Sequence, residues 1–326
     1  MSAATTIEYR IPPQPRFRAF IHRLREGDEV AHVLTLVFAA LILLLTSMLV
    51  YELWVNSRLS RTKFGWMFLW TRVWDPIFGN FGAAPFIYGT LVTAIVSLVI
   101  AVPLGLAGSI FLAELAPPKL SDSIAFLIDL LAAVPSVIYG LLGIFIVVPV
   151  MRTTLGPVLK SVLGFLPLFQ GRNYGVGFLT GGIVLAIMVV PFIISVSREV
   201  LLTVPSEQRE AALALGSTRW ESTWKVVIPW ARTGIMGSIF LALARALGET
   251  MAVTMVIGND PKISASLFAP GYTIAAVIAN EFTEATGDLY LSALVELGLV
   301  LFLMTFILNG LARLLIVATE RGGGHP

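Results

Sequence analysis

Six long apolar stretches, separated by shorter polar segments, dominate the pattern along this chain. A helix that crosses the hydrocarbon core of a bilayer needs about 20 predominantly apolar residues. The stretches that reach or approach this length are 33–51, 83–113, 124–151, 176–197, 233–257 and 289–318. Since helices satisfy their own backbone groups in lipid, the pattern predicts an all-α integral membrane protein. We expect six transmembrane helices, with both termini on the same side of the membrane.

The composition agrees with lipid as the main solvent, because 57% of the 326 residues are hydrophobic and only 13% are charged. Ordinary globular domains carry about 25% charged residues. The chain contains no cysteine, which excludes disulfides and thiolate metal sites, and its three histidines are scattered. A formal net charge of +2 is small for this length and gives no reason to expect nucleic acid as a partner. We therefore expect contact with membrane lipid, no nucleic acid and no metal.

Prolines and charged residues interrupt several of the apolar stretches. Pro135 is predicted to kink the third stretch, and Pro191 lies near the inner end of the fourth. Bundle helices tolerate such residues when neighbouring helices satisfy the freed backbone groups. Asp129 and Glu296 also lie inside apolar stretches, where they are predicted to pair across helices or to line a pathway. These features together favour a bundle that moves.

The loops differ in their content of lysine and arginine, which are concentrated in the cytoplasmic loops of membrane proteins. With a cytoplasmic N-terminus, the inner segments hold more of these residues than the outer loops, although the first outer loop is itself basic. The distribution favours cytoplasmic termini. The arginines that precede the first stretch suggest a contact with anionic lipid as a hypothesis.

The polar segment between the fourth and fifth stretches carries the most specific motif. It reads Glu210-Ala-Ala-Leu-Ala-Leu-Gly216 and, nine residues later, Val226-Val-Ile228-Pro229. Helical periodicity places Ala211, Leu215 and Thr218 on one stripe, and Gly216 offers a break between two short helices. Pro229 is predicted to end this elbow and to start the next span.

This segment resembles the EAA loop of ABC importer permeases, in which Glu-Ala-Ala is followed by three residues, Gly, nine residues, and then Ile, any residue, Leu and Pro. Every spacing matches, with Val226 and Ile228 in place of the usual Ile and Leu. In that family the elbow docks into the nucleotide-binding subunit. The resemblance implies that coupling to the ATPase rests on Glu210, Ala211, Ala212, Gly216 and Pro229. An interfacial amphipathic helix without a partner is the alternative, but it does not explain the fixed spacing of Gly and Pro.

The physical properties of the elbow suit such a docking role. Small alanines let a helix sit deep in the groove of a partner, while Arg209 and Glu210 are expected to make charged contacts at the rim of that groove. None of the five lysines of the chain follows a glycine, so the sequence has no Gly-Lys pair of a phosphate-binding P-loop. We therefore expect a permease subunit that is not an enzyme and holds no cofactor, with ATP and Mg bound by a separate ATPase subunit.

The fifth apolar stretch contains two opposite charges, Arg245 and Glu249. In a continuous helix they lie one turn apart on the same face, where they could pair. Placing an arginine at the centre of a span costs roughly 2.5–3.5 kcal/mol on insertion scales, so the default reading is functional. A guanidinium fork matches the oxygens of a tetrahedral oxyanion. We predict that Arg245 and Glu249 belong to the substrate pathway, with a purely structural ion pair as the alternative.

A narrower resemblance rests on the same residues. The segments 244–254 and 256–259, together with 134–140 and 279–282, resemble a permease subunit of the phosphate-specific ABC importer, and favour it over its sister permease. In that family the Arg and Glu of this stretch are associated with phosphate passage, which the resemblance carries onto Arg245 and Glu249. A permease for sulfate or molybdate stays an alternative. An ATP-independent carrier is less favoured, because no inverted repeat is evident.

The resemblance implies a type I ABC importer permease fold in the bacterial inner (cytoplasmic) membrane. Its expected partners are a homologous permease, two ATP-binding subunits and a phosphate-binding protein. The expected parts are a cytoplasmic N-terminal segment 1–29, a first transmembrane helix 30–54, an outer loop 55–82, a permease core 83–318 with its coupling helix at about 206–230, and a cytoplasmic tail 319–326.

The outer segments raise two further expectations. Segment 260–288 holds one lysine and four carboxylates, so it would repel phosphate, and we expect it to form a docking surface or gate for the binding protein. The basic loop 56–82 contacts the binding protein, lipid headgroups or neither, and the sequence leaves these three possibilities open.

Overall fold

The computed structural model describes residues 28–322, and within that range the chain forms helices and no strand. The helices are α1 Asp28–Asn56, α2 Arg58–Phe64, α3 Ala84–Ile110, α4 Pro118–Ala132, α5 Ser136–Leu163, α6 Phe178–Leu202, α7 Ser206–Ala214, α8 Arg219–Leu247, α9 Met251–Ile257, α10 Ile274–Glu281 and α11 Asp288–Gly322. Expectations for residues 1–27 and 323–326, including the N-terminal arginines, lie outside the described residues.

Six of these helical segments are long and apolar enough to cross a membrane. They are Ala31–Asn56, Ala84–Leu115, Ser136–Leu163, Phe178–Leu202, Arg219–Leu247 and Asp288–Leu314. The prediction of an all-α, multi-pass membrane protein with six transmembrane helices is confirmed. The chain divides into two compact units, residues 1–55 and residues 56–326. The first contains nearly all of α1, a single apolar helix without an interior proline.

Helix α6 forms the centre of the second unit, where it packs most extensively against α3 and also against α4, α8 and α9. Close approach of α3 and α6 depends on glycine. A Cβ atom added to Gly105 would lie 2.5 Å from Ile193, and one added to Gly182 would lie 2.4 Å from Val96. Lipid tails are as apolar as leucine, so close packing of this kind, rather than burial from water, favours helix association in a bilayer.

The third apolar stretch is two helices rather than one kinked helix. Helix α4 ends at Ala132 and α5 begins at Ser136, with Pro135 in an extended conformation (ψ 138°) between them. Proline disfavours helical backbone at the preceding residue, which explains the break. The Tyr139 hydroxyl donates a 2.7 Å hydrogen bond to the carbonyl of Leu131, whose partner four residues later would be Pro135, which has no N–H.

Besides Phe111–Leu115 at the end of the span that contains α3, three wide helical turns with i→i+5 hydrogen bonds lie inside the spans, where a proline follows within the same helix. The turns are Gly143–Val147, Met151–Leu155 and Thr223–Val227, and each ends two residues before a proline, namely Pro149, Pro157 and Pro229. A proline inside an α-helix lacks a donor and clashes with the carbonyl four residues earlier, and a wider turn relieves both problems. As a result α5 continues past its predicted end at Met151, as far as Leu163.

The fifth apolar stretch also differs from the prediction at both ends. Helix α8 begins at Arg219, within the elbow, and runs through Pro229 without a stop as far as Leu247. Residues 248–250 then leave the helix, and the chain resumes as the short helix α9. The expectation that Pro229 ends the elbow is therefore wrong, because the wide turn before it keeps the helix continuous.

Candidate coupling elbow and substrate pathway

The elbow consists of α7, a tight turn and the first turns of α8. Gly216 occupies the left-handed region (φ +88°), which glycine adopts without strain. Its N–H donates to the Leu213 carbonyl at 2.9 Å, and the N–H of Ser217 donates to the Ala212 carbonyl at 3.1 Å. This pair of bonds is the Schellman motif, which satisfies the free carbonyls at the end of a helix. The turn at Gly216 is thus encoded locally.

The next helix has an equally local start signal. The Thr218 hydroxyl accepts a hydrogen bond from the Glu221 N–H at 3.3 Å, and the Glu221 carboxylate accepts one from the Thr218 N–H at 2.9 Å. This reciprocal capping box satisfies two of the donors that a helix start leaves open. The elbow therefore has a defined stop for α7 and a defined start for α8, with only four residues between them.

Arg209 fixes the elbow to the transmembrane bundle. Its guanidinium forms an ion pair with Glu114 at 2.8 Å, with side-chain exposures of 24% for the arginine and 9% for the glutamate. It also donates to the carbonyls of Leu201, at 2.8 Å, and of Val204. Arg209, expected to make charged contacts at the rim of a partner's groove, instead makes its ion pair and two backbone hydrogen bonds inside its own chain.

The residues of the Glu-Ala-Ala-Gly motif divide between an inner and an outer face. Glu210, Ala211 and Gly216 are exposed, whereas Ala212 is buried and helps to seat α7 on the bundle. Leu215 is 88% exposed, an unusual position for a large apolar side chain in a turn outside the candidate spans. The outer face of the elbow therefore presents Leu215 between the small surfaces of Ala211 and Gly216.

A second group of residues surrounds the break between α8 and α9. Arg245 lies in the last turn of α8 and is exposed, with its guanidinium carbon 5.7 Å from the centre of the Phe192 ring. Tyr139 lies close enough to interact electrostatically with Arg245. Phe192 follows Pro191 in α6, and Tyr139 bridges the break between α4 and α5. Arg245 thus lies beside interruptions or prolines in three helices.

Packing between α5 and α9 brings two of these breaks together. A Cβ added to Gly140 would lie 2.4 Å from the Met255 sulfur and 3.2 Å from the Ala252 Cα, so the first turns of α5 lie directly against α9. Discontinuous helices near the middle of a bundle are a recurrent feature of transporter substrate sites. The helix breaks around Arg245 can therefore present its guanidinium to a passing anion, which requires no covalent chemistry.

Glu249 has a different position from the one that a continuous helix predicts. It lies in the break, and its carboxylate accepts a 3.1 Å hydrogen bond from the Ala252 N–H in the first turn of α9. Among the described residues, Arg245 and Glu249 do not form an ion pair. Because the helix ends at Leu247, the one-turn spacing that would align the two side chains is lost. Glu249 stabilises the start of α9 in this conformation.

The two other carboxylates that interrupt apolar stretches of the sequence, Asp129 and Glu296, have different surroundings. Asp129 accepts a 2.7 Å hydrogen bond from the Ser195 hydroxyl, which joins α4 to α6. Glu296 is 6% exposed, and its Oε2 has no hydrogen-bond partner within the described part of the chain. Asp129 thus contacts a neighbouring helix, whereas the role of Glu296 stays a prediction.

In the outer segment 260–288, two of the four carboxylates are engaged by partners inside the protein. The Glu281 carboxylate accepts hydrogen bonds from Trp74 Nε1 at 2.8 Å and from the Tyr290 hydroxyl at 2.6 Å, and Asp260 pairs with Lys262 at 3.0 Å. Burial raises the pKa of Tyr272 to about 12, so this phenol stays neutral at physiological pH. Only Glu284 and Asp288 remain as exposed carboxylates of the four.

Sequence reasoning missed the ion pairs that join the elbow and neighbouring helices to the bundle. Arg198 pairs with Asp122 at 2.9 Å and donates to the Ser121 hydroxyl at 3.1 Å, which ties α4 to α6, just as Arg209 ties α7 to Glu114. The signal available in the sequence was the presence of single carboxylates at the ends of apolar stretches. No local pattern says which distant arginine each one meets.

Comparison with known proteins places these features in a family. Residues 105–320 match the family described as "Binding-protein-dependent transport system inner membrane component". The chain is 46% identical over 310 residues to the phosphate transport system permease protein PstC of Mesorhizobium japonicum, covering 94% of this chain and 95% of that protein. It is 47% identical to PstC of Xylella fastidiosa strain Temecula1, covering 90% and 91% of the two chains.

A solved structure agrees on the fold. The crystal structure of a bacterial alginate ABC transporter, in complex with alginate pentasaccharide-bound periplasmic protein, matches with a TM-score of 0.56 at 14% identity, covering 90% of this chain and 96% of that one. The family match and the similar permeases thus define this chain as the permease subunit of a binding-protein-dependent ABC importer. Within that class, the chain belongs to the PstC family of phosphate transport system permease proteins.

Proposed function

We propose that this permease carries phosphate inward across the bacterial inner membrane and forms one half of the translocation pathway. The observation that carries the choice of cargo is the near full-length similarity to PstC permeases. Sulfate and molybdate share the tetrahedral shape of phosphate and the same coupling machinery, so they are the competitors against which the proposal is tested.

Arg245 is the pathway cation in this proposal. An anion that enters a bundle of low dielectric constant needs a compensating positive charge, and a guanidinium offers parallel N–H donors to two oxygens of the anion. The exposed guanidinium has an aromatic face rather than a carboxylate as its close contact in the described chain. Glu249 assists by holding the start of α9, and therefore the shape of the break, through its bond to Ala252.

The elbow is the site of coupling in this proposal. The partners are a homologous PstA-like permease, two PstB-like ATP-binding subunits that hold ATP and Mg, and a PstS-like phosphate-binding protein on the outer side, with both termini of this chain in the cytoplasm. Leu215, Ala211 and Gly216 meet the ATPase subunit. The Arg209 and Glu114 pair transmits the movement of α7 to the end of α3.

The experiment is uptake of radiolabelled phosphate into vesicles that contain the purified complex and its binding protein, with and without internal ATP. The proposal predicts uptake that depends on ATP and that an excess of sulfate or molybdate leaves unchanged. ATP-dependent uptake of sulfate in place of phosphate would support the importer mechanism but contradict phosphate as its substrate. Uptake without ATP would contradict the proposal as a whole.

A further inference from the structure

The outer segment between α1 and α3 is apolar on two opposite faces. Its inner face belongs to the protein core, where Phe68 and Phe81 are buried and Trp74 packs against Phe81 and Phe86 at ring distances of 4.8 and 4.9 Å. Its outer face carries five large apolar side chains that are each more than two-thirds exposed. We call this set the outer apolar face, and it consists of Trp66, Met67, Trp70, Ile77 and Phe78.

Rigid contacts hold this face in place. The Lys63 ammonium donates to the Gly79 carbonyl at 3.0 Å, which brings the turn that carries Ile77 and Phe78 back to the end of α2. Trp74 is fixed from the inner side by its 2.8 Å hydrogen bond to Glu281. The exposed rings are therefore presented by a folded scaffold, rather than by a loop whose apolar side chains could turn inward.

The depth of the segment follows from its contacts with two spans. The Ser60 N–H donates to the Ser292 hydroxyl at 3.1 Å, which lies in the second turn of α11. The Ala83 N–H donates to the Phe68 carbonyl at 2.7 Å, and the Ala84 N–H to the Thr71 carbonyl at 3.3 Å, immediately at the start of α3. The segment thus lies beside the first turns of two transmembrane helices, at the level of the membrane interface.

We propose that the outer apolar face docks on the lipid bilayer, in the headgroup and upper acyl region of the outer leaflet. Tryptophan favours this layer because its ring is apolar and its N–H remains hydrated. The exposed side chains of Arg58 and Arg72 in the same segment can meet lipid phosphates there. A soluble binding protein that docks and leaves uses a surface about as apolar as average, which this face is not. The segment therefore anchors the outer ends of α3 and α11 to the membrane.

The test uses the natural lack of cysteine in this chain. Trp70→Cys and Phe78→Cys are each labelled with a nitroxide in the intact importer complex, reconstituted in nanodiscs of phosphatidylethanolamine and phosphatidylglycerol. Thr286→Cys, at an exposed position between α10 and α11, is the matched water-facing control, and the unsubstituted complex gives the labelling background. Electron paramagnetic resonance then measures collisions with oxygen, which enriches in lipid, and with a water-soluble nickel chelate.

The proposal predicts that both labels collide readily with oxygen and several-fold less with nickel than the label at residue 286. Nickel accessibility equal to that of the control would overturn the proposal, because the face would then lie in water. Protection from both reagents would also overturn it, since a protein partner would then cover the face. If the Trp70 variant does not assemble, Trp66→Cys replaces it with the same expected result.

Discussion

The elbow and the break between α8 and α9 both interrupt helices beside an arginine, but the two arginines have opposite surroundings. Arg209 in the elbow has a carboxylate at 2.8 Å and two backbone carbonyls as partners. Arg245 at the break is exposed and lies over the Phe192 ring, and no ion pair holds it within the described part of the chain. An arginine that is paired with a carboxylate of its own chain makes a stiff connection, whereas one without such a carboxylate is available to a passing anion.

The largest expected effect comes from removing the pathway cation. Arg245→Gln should lower phosphate uptake by roughly 100-fold, because the anion loses a charged, bidentate partner inside the bundle. Arg245→Lys keeps the charge without the planar fork and should lose less activity. Uptake into vesicles measures both variants. Wild-type uptake by Arg245→Gln, in a complex that still holds its ATPase subunits, would return this residue to a structural role.

The next effect concerns the stiff connection of the elbow. Arg209→Ala should destabilise the seating of α7 by roughly 2 kcal/mol, since it leaves the mostly buried Glu114 without its partner. Hydrogen exchange of the α7 amides in the complex measures this change. Lys225→Ala is the matched control, because Lys225 meets Glu221 at 3.8 Å on an exposed surface, where such a pair contributes less than about 1 kcal/mol. Equal effects of the two variants would remove the distinction between anchor and surface pair.

A smaller effect separates the shape of the elbow from its docking surface. Gly216→Ala should destabilise the turn by about 1 kcal/mol, because the left-handed conformation is unfavourable for alanine. No steric clash adds to this cost, since no atom lies within 4 Å of the added Cβ. Leu215→Asp leaves the turn intact and removes the exposed apolar side chain, so it should release ATPase subunits during purification. Full retention of those subunits by Leu215→Asp would show that the outer face of the elbow is not the docking surface.

The smallest effect is expected at the cap of α9. Glu249→Ala removes the acceptor for the Ala252 N–H and should cost about 1 kcal/mol of local stability, whereas Glu249→Gln keeps an acceptor and should cost less. Phosphate uptake and the exchange rate of the first α9 amides measure the two variants together. An equally large loss of uptake in both variants would indicate that the charge of Glu249, rather than its capping bond, matters.

The sequence predicted the number of spans because helix-length apolar runs have few alternatives in lipid. It also located the turn of the elbow, since Gly216 combines a spacing signal with a backbone conformation that favours glycine. Both signals are local. They depend on residues within a few positions of each other, which is the range over which patterning and capping operate.

The features that sequence reasoning missed depend on distant contacts or on subtle backbone changes. The break at 248–250 contains no proline, so periodicity continued the helix through it and aligned Arg245 with Glu249. The wide turn before Pro229 had the opposite effect, because it kept a helix continuous where proline predicted a stop. Arg209 and Glu114 are 95 residues apart, and their pairing follows only from the tertiary packing of α7 on the end of α3.

The comparison of the two arginines predicts that transport and hydrolysis can be separated at the break but not at the elbow. The most direct test is the amount of phosphate imported per ATP hydrolysed, measured in the same vesicles for wild type, Arg245→Gln and Arg209→Ala. We expect Arg245→Gln to hydrolyse ATP with little import, and Arg209→Ala to lose both activities together. A ratio for Arg245→Gln equal to that of wild type would contradict the account.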